Sequence, residues 1–396
     1  MPQFPALPLL QLLLPLLLLG LSACSSQETI DQAEAIQVVG GKGLPRLADA
    51  GQALSFTGLI GQLLQEDVIF IGEIHSEYGH QRMQLALLEA LHRRKVKLAI
   101  GVEWIQRPFQ QHLDDFIADR IDEAEMLRRT QYFSRWGHDY RHYRPIVQFA
   151  KREGLPLIAL NAPSELIQAI MQGGLKGLDD FYVAQLPEEY YFTNETYKQR
   201  LQRIYARHQG IKGSFGNFYE VQLTWDETMA EQVTRFLEND SETTLVVLAG
   251  VGHLEYGHGI PDRVERRTEL LGKTLLPALD GELDPQLADF LLSAPQTHLP
   301  PIGQLGVELR HTPQQSVVVE IDPKGPAHRA GLRKGDRILK LDQQPIQDLT
   351  DLKLALLDKP PGTQVSLVVA AEAQDSPSRL LQLTLGKPTQ RKKAQL

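Results

Sequence analysis

Four apolar runs set the frame of the first two thirds of the chain. They are Val68-Ile69-Phe70-Ile71, the segment from Lys97 to Glu103, Leu155-Pro-Leu-Ile-Ala-Leu160, and Leu245-Val-Val-Leu-Ala249. Short apolar runs with no polar alternate face, bounded by turn residues, read as strands buried on both sides. Between them the period changes. Met83, Leu87, Leu88 and Leu91 recur at helical spacing and predict a helix from about Gly79 to Arg94. A charged helical region runs on to about Arg152, Pro163-Ser164-Glu165 can open another helix, and a long helical stretch covers about 195–238, broken near Gly210–Gly216. Strands alternating with helices over residues 51–270 predict an α/β fold with a mostly parallel sheet and helices on both faces.

The pattern changes twice more. Residues 271–302 are patchily apolar and hold Pro277, Pro285, Pro295, Pro300 and Pro301, which reads as a linker with one short helix at 284–292. Residues 303–388 alternate in the manner of a small α+β domain. Val317-Val-Val-Glu-Ile321 is followed by Gly325-Pro-Ala327, by Ala330-Gly331-Leu332 and by Gly335-Asp336-Arg337-Ile338-Leu339; a helical period then runs from Leu349 to Leu357. Residues 389–396 form a tail.

The other end carries an address. Residues 6–21 are almost entirely Leu, Ala and Pro without charge and close in Leu21-Ser22-Ala23-Cys24. Such a segment reads as a secretory signal, residues 1–23, although no Lys or Arg precedes it. Cys24 is the only cysteine, so no intramolecular disulfide forms. The segment resembles a bacterial lipobox, which implies lipid on Cys24 and a membrane anchor in the cell envelope. Ser25 is not acidic, which by the enterobacterial sorting rule favours the outer membrane. Residues 24–50 are then a lipidated start and a tether. The formal net charge of -8 argues against a nucleic-acid partner. Arg263, Arg266 and Arg267 form only a short cluster on a helix face, and basic clusters of that kind are usually solvated surface.

The chemistry gathers at two matching clusters. Gly72-Glu73-Ile74-His75 with His80 follows one strand, and Gly250-Val251-Gly252-His253 with His258 follows another. Ligands collect at the carboxyl ends of strands in open α/β sheets, so Glu73, His75, Glu103, Asn161 and His253 are expected along one edge. Imidazole and carboxylate groups serve as metal ligands (His75, His80 and His253) or as general acids and bases (Glu73, His75, Glu103 and His253). A single histidine is more often a hydrogen-bonded structural residue; the paired clusters reverse that for His75 and His253. Gly72, Gly250, Gly252 and Gly257 allow sharp turns and close backbone approach.

Two resemblances follow. Residues 303–388 resemble a bacterial PDZ domain of periplasmic HtrA proteases, which implies capture of a peptide C-terminus by strand addition beside Leu305, Gly306, Val307, Glu308 and Leu309. A PDZ domain that only packs on its neighbour is the alternative. The ensemble Gly72-Glu-Ile-His75 with His80, Val102-Glu103, Gln222-x-x-Trp225-Asp226-x-x-Met229-Ala230, and Gly250-x-Gly-His253-x-x-Tyr256-Gly-x-Gly-Ile260-Pro261 resembles the ChaN family of iron-regulated, haem-binding lipoproteins in the Tiki superfamily. That resemblance implies haem bound through tyrosine, a homodimer that sandwiches two haems, and a role in iron or haem acquisition. Tyr256 is the first candidate ligand, with His258 in the same cluster, followed by Tyr140 and Tyr143; Arg135, Arg141 and Arg144 could meet the haem propionates. More distant similarity to Tiki metal-dependent proteases and to erythromycin esterases implies an alternative: a hydrolase of esters or peptides using the two Gly-x-x-His motifs with zinc or manganese.

Overall fold

A computed structural model describes residues 35–42, 54–94, 97–207, 213–278, 284–293, 295–312, 315–371 and 377–388. The signal segment, Cys24 and the 389–396 tail lie outside the described residues. In chain order the elements are β1 (Gln37–Gly40), α1 (Phe56–Leu63), β2 (Val68–Glu73), α2 (Tyr78–Arg93), β3 (Leu98–Gln106), α3 (Gln110–Ile117), α4 (Glu123–Arg129), α5 (Tyr132–Arg135), α6 (Tyr140–Glu153), β4 (Leu157–Asn161), α7 (Ser164–Gly173), α8 (Asp180–Val183), α9 (Glu195–Arg207), α10 (Phe215–Asn239), β5 (Thr244–Gly250), α11 (Ile260–Thr268), β6 (Lys273–Pro277) and β7 (Phe290–Ser293). The second domain adds β8 (Val307–Thr312), β9 (Gln315–Ile321), α12 (Pro326–Arg329), β10 (Asp336–Leu341), β11 (Gln344–Pro345), α13 (Leu349–Leu356), β12 (Gln364–Ala371) and β13 (Arg379–Thr384).

The first sheet has the order β1-β7-β6-β2-β5-β3-β4. Every pair in it is parallel except β1 with β7. The apolar runs explain the centre: every residue of β2 and β3 is buried, because helices cover both faces. One core cluster holds α1, α2, α4 and α6 against the sheet, and another holds α10 and α11 against its opposite side. The sheet places β5 between β2 and β3. Both glycine-histidine clusters therefore leave adjacent strands, and Glu103 lies inside the neighbouring β3, which runs past the expected end at Glu103 to Gln106.

Two expectations are corrected. The linker expected at 271–302 begins later, because β6 and β7 are strands of the main sheet. The short helix expected at 284–292 is absent, and Phe290-Leu-Leu-Ser293 is extended. Their apolar residues are buried, and Pro277 falls at the end of β6, where it closes the strand instead of interrupting it. The tether expected over 24–50 is also shorter, since Gln37–Gly40 pairs with β7 at the sheet edge. The 303–388 domain is a separate antiparallel sheet, in the order β13-β12-β10-β9-β8, with its own core around Leu305, Val318, Leu352 and Leu367.

Candidate functional site

Glu73 is the last residue of β2 and pairs in register with Gly250, the last residue of β5. Both strands end at one crevice. Gly250 has no side chain, and a Cβ there would stand 3.0 Å from the His75 ring. That absence lets His75 lie across the end of β5. Gly72 makes similar room for the Leu276 side chain, whereas nothing lies within 4 Å of a Cβ built on Gly252. The expected need for close approach therefore holds for Gly72 and Gly250 and not for Gly252. Gly257 is required for another reason, its left-handed φ of +74°.

Two imidazoles face one carboxylate. His75 Nδ1 lies 2.8 Å from Glu73 Oε1, and its Nε2 lies 3.9 Å from Glu103 Oε1. His253 Nδ1 lies 2.7 Å from Asp226 Oδ1, and its Nε2 lies 3.6 Å from the same Glu103 Oε1. The other oxygen of Glu103 accepts from the Gly250 amide at 2.6 Å. Each outer carboxylate is held in turn by a buried phenol: Tyr143 donates to Glu73 at 2.9 Å, and Tyr197 donates to Asp226. Glu73 Oε2 is buried without a partner. Aromatic groups complete the walls. Trp136 meets His75 edge-on at 5.0 Å, His138 lies 4.8 Å from it, and Trp225 meets His253 edge-on at 6.2 Å.

Burial on its own would push both imidazoles down. For His75 the Glu73 hydrogen bond and the charge of Glu103 overcome it, and the pKa is raised. For His253 Glu103 and then Asp226 do the same. The carboxylates thus favour imidazolium in both rings. His138 differs: burial and the neighbouring His75 hold it down, so it stays neutral.

Glu73, His75, Glu103 and His253 are brought together as the sequence implied. The other candidates are not part of that cluster. His80 accepts from the Ile74 amide at 3.1 Å and shapes the loop after β2. Asn161 donates to the Glu103 carbonyl at 2.9 Å, so it positions backbone. Tyr140 and Tyr143 are buried in the core, with their hydroxyls on Glu123 and Glu73. Arg135, Arg141 and Arg144 are engaged with Glu165, Asp139 and Glu123. Tyr256 and His258 sit together beyond the crevice, with rings stacked 5.6 Å apart. The Tyr256 hydroxyl donates to Asp284 at 3.0 Å. Its backbone is left-handed, φ 61°, which is rare for a bulky residue. His258 Nδ1 is buried without a partner, and burial followed by Arg200 lowers its pKa.

Tyr197 was not anticipated, and Asp226, quoted in the family motif, was given no place at the site. Asp226 is 0 % exposed in the middle of α10. The expected solvated basic face of α11 is corrected for Arg263: it is 1 % exposed, with Nε 2.9 Å from Glu227 Oε1. Among the described residues, no group of three or more His, Cys, Asp or Glu side chains is gathered to hold a metal ion, and no helix is long and apolar enough to cross a membrane.

In the second domain β8 is the edge strand of its sheet. A groove of about 750 Å³ separates it from α13, lined by Leu305, Gly306, Val307, Glu308, Leu309 and His311 on one side and by Leu349, Leu352, Lys353 and Leu356 on the other. Gly306 has a φ of +77°, which turns the loop entering β8. An edge strand beside an apolar helix face is the geometry for strand addition.

Comparison with known proteins agrees with this layout. The sequence profile described as haem-binding uptake, Tiki superfamily, ChaN matches residues 59–264, and that of the PDZ domain matches residues 303–376. The fold is similar to that of a solved structure of Campylobacter jejuni ChaN with cofacial haem, with a TM-score of 0.51 and 22% identity over 62% of this chain and 94% of that one. Residues of the chain are 22% identical to the Arabidopsis thaliana chloroplastic protein RETICULATA-RELATED 5 over 52% of this chain and 30% of the relative. A further 22% of the chain is 33% identical to 19% of the Escherichia coli regulator of sigma-E protease RseP. The chain thus spans less than a third of the length of either curated relative.

Proposed function

Because this chain belongs to the haem-binding uptake family of the Tiki superfamily, ChaN, and ends in a PDZ domain, we propose that it is a lipid-anchored protein of the bacterial envelope that binds haem in iron or haem acquisition and captures a partner's peptide terminus. The observation that carries this reading is the family match over residues 59–264, which hold the crevice, joined to a fold similar to that of the haem-binding relative. In this reading lipid on Cys24 holds the protein at the outer membrane, and two copies meet through their haems.

The donor set beside the crevice fits the cofactor. Tyr256 and His258 form a stacked pair with an unpartnered buried nitrogen. The lowered pKa of His258 keeps its imidazole neutral, the state that binds iron. Burial and then Asp284 raise the Tyr256 phenol, so it keeps its proton until a cation displaces it. Tyr256 or His258 would hold haem through the phenolate or imidazole, and the bound haem would supply a ferric iron. Tyr140 and Tyr143 are poor candidates for this role because their hydroxyls are buried against carboxylates. The test is a hemin titration of residues 25–396 followed by visible absorbance. Tyr256→Phe is expected to weaken binding by about tenfold, the loss of one ligand contact worth about 1.4 kcal/mol. Unchanged affinity in that variant removes Tyr256 as the ligand.

The two His–carboxylate pairs favour a second reading, hydrolysis by acid–base chemistry in the crevice. Glu103 would take a proton from water as its oxygen attacks an ester or amide carbonyl. An imidazolium, His253 or His75, would give a proton to the leaving atom as the acyl bond breaks. Each imidazole is fixed by its Nδ1 partner, which leaves Nε2 toward the substrate. This reading predicts hydrolysis of activated nitrophenyl esters that His253→Ala lowers by at least about 100-fold. Metal analysis of the same sample distinguishes it from the zinc or manganese form of the chemistry. Hydrolysis equal in the variant and the parent protein sets both forms aside.

A further inference from the structure

The helix that walls the peptide groove also belongs to the first domain's interface. Leu349, Leu352, Lys353 and Leu356 of α13 face the groove. Leu354 and Leu357, on another side, pack against the first domain's core. The start of the helix is fastened by one arginine. Arg128 Nε lies 2.6 Å from Asp348 Oδ2, and its Nη2 lies 2.8 Å from Asp351 Oδ1. Asp348 is the N-cap, and its other oxygen accepts from the Asp351 amide at 3.1 Å. Arg144 adds an approach of 3.5 Å to Asp358, just past the end of the helix.

Arg128 lies in the last turn of α4, and the first turn of α4 holds Glu123. Glu123 accepts from Tyr140 at 2.8 Å and from Arg144 at 2.9 Å, both on α6. Between those two on α6, Tyr143 holds Glu73, which holds His75. Side-chain contacts at each end of α4 and along α6, joined by the two helices themselves, therefore link the groove wall to the crevice.

We propose that peptide capture in the PDZ groove and the arrangement of the His75–Glu103–His253 crevice are coupled through Arg128, α4 and α6. The proposal rests on the reading of the groove as a peptide site. A strand entering between β8 and α13 sets the distance between them. Any movement of α13 must then be taken up by Arg128 and by the packing of Leu354 and Leu357. Packed helices tied by ion pairs can hold discrete arrangements, which lets a displacement at one end be felt at the other. The coupling is reciprocal, so the state of the crevice alters the affinity of the groove by the same factor.

The chain carries its own reporter. Its three tryptophans are Trp104, Trp136 and Trp225, all in the first domain. Trp104 lies 4.4 Å from Tyr143, Trp136 lies 5.0 Å from His75 and Trp225 lies 6.2 Å from His253. The experiment uses residues 25–396 and a tryptophan-free decapeptide, apolar at its last and third-from-last positions, with a free carboxylate. A fluorescein-labelled copy gives the affinity by anisotropy; an unlabelled copy is titrated while tryptophan emission is read. Saturable change in emission at the same midpoint is expected. In Arg128→Ala the affinity should fall about fivefold and the emission response should vanish, with partial recovery in Arg128→Lys. Peptide binding without any emission change, and with equal affinity in Arg128→Ala, overturns the proposal. If the peptide does not bind the parent protein, the groove reading fails separately, and the emission of ligand-free Arg128→Ala decides: a spectrum identical to the parent's overturns the coupling, and an altered one upholds it.

Discussion

Arg263→Ala is expected to destabilise the first domain by about 3–5 kcal/mol, the range for removing one partner of a buried ion pair. Among the described residues, Arg263 heads the fully buried side chains by volume. It faces Glu227, with both residues 1 % exposed. Its Nη1 also donates to the carbonyls of His258 at 2.8 Å and Gly259 at 2.9 Å, and its guanidinium lies 5.5 Å from the centre of the Tyr197 ring. Truncation leaves Glu227 in the interior with Arg267, at 2.5 Å, as its remaining cation. Burial already raises the Glu227 pKa against the pull of Arg263, so the lost charge drives it further toward protonation. For a domain of this size the expected fall in Tm is about 10 °C. A double variant, Arg263→Met with Glu227→Gln, should recover much of that loss, because the penalty lies in a buried carboxylate that has lost one of its two cations. Thermal unfolding followed by circular dichroism decides the matter, and a Tm within about 2 °C of the parent's contradicts the assignment.

Gly259→Ala is expected to displace His253 without touching any side chain of the site. A Cβ on Gly259 would fall 2.1 Å from the His253 carbonyl oxygen and 2.7 Å from its carbon. Backbone cannot yield as a flexible side chain does, so the loop after β5 must open. Overpacking of this kind costs about 1–3 kcal/mol. The local consequence is larger, because the 2.7 Å contact between His253 and Asp226 depends on where that loop sits. Proton NMR should show loss of the downfield Nδ1–H resonance of His253, with that of His75 retained on Glu73. Gly252→Ala is the control, since nothing lies within 4 Å of its Cβ. Retention of both resonances in Gly259→Ala contradicts this account of the loop.

The parts of the fold that were legible share a physical cause. β2 and β5 are buried along almost their whole length, so they appear as uninterrupted apolar runs, and α2 shows its helical period because one stripe faces the core. β6 and β7 were obscured by neighbouring prolines, which signal a linker locally and say nothing of a sheet edge waiting beside β2. β1 is short and pairs with β7, a partner far along the chain, so no local pattern announces it.

The site divides in the same way. Glu73, His75 and His253 stand next to glycines at strand ends, and Glu103 ends an apolar run, so their types and places point to one crevice. Asp226 sits inside a helix with no such marker. Its signals are its place beside Trp225 in the family motif and an acid among buried neighbours such as Leu223, Met229 and Val233. Tyr143 and Tyr197 were unreadable as supports for Glu73 and Asp226, because those contacts exist only after the helices pack. Arg263 misled for a related reason: arginines at helical spacing look like a solvated face unless the acid that pairs with them is known.

The hemin titration of residues 25–396, with visible absorbance read against free hemin, bears most directly on the account. A saturable Soret shift that weakens about tenfold in Tyr256→Phe is the predicted result. Spectra that remain those of free hemin at every protein concentration contradict haem binding by this chain, and leave the crevice of His75, Glu103 and His253 to acid–base chemistry.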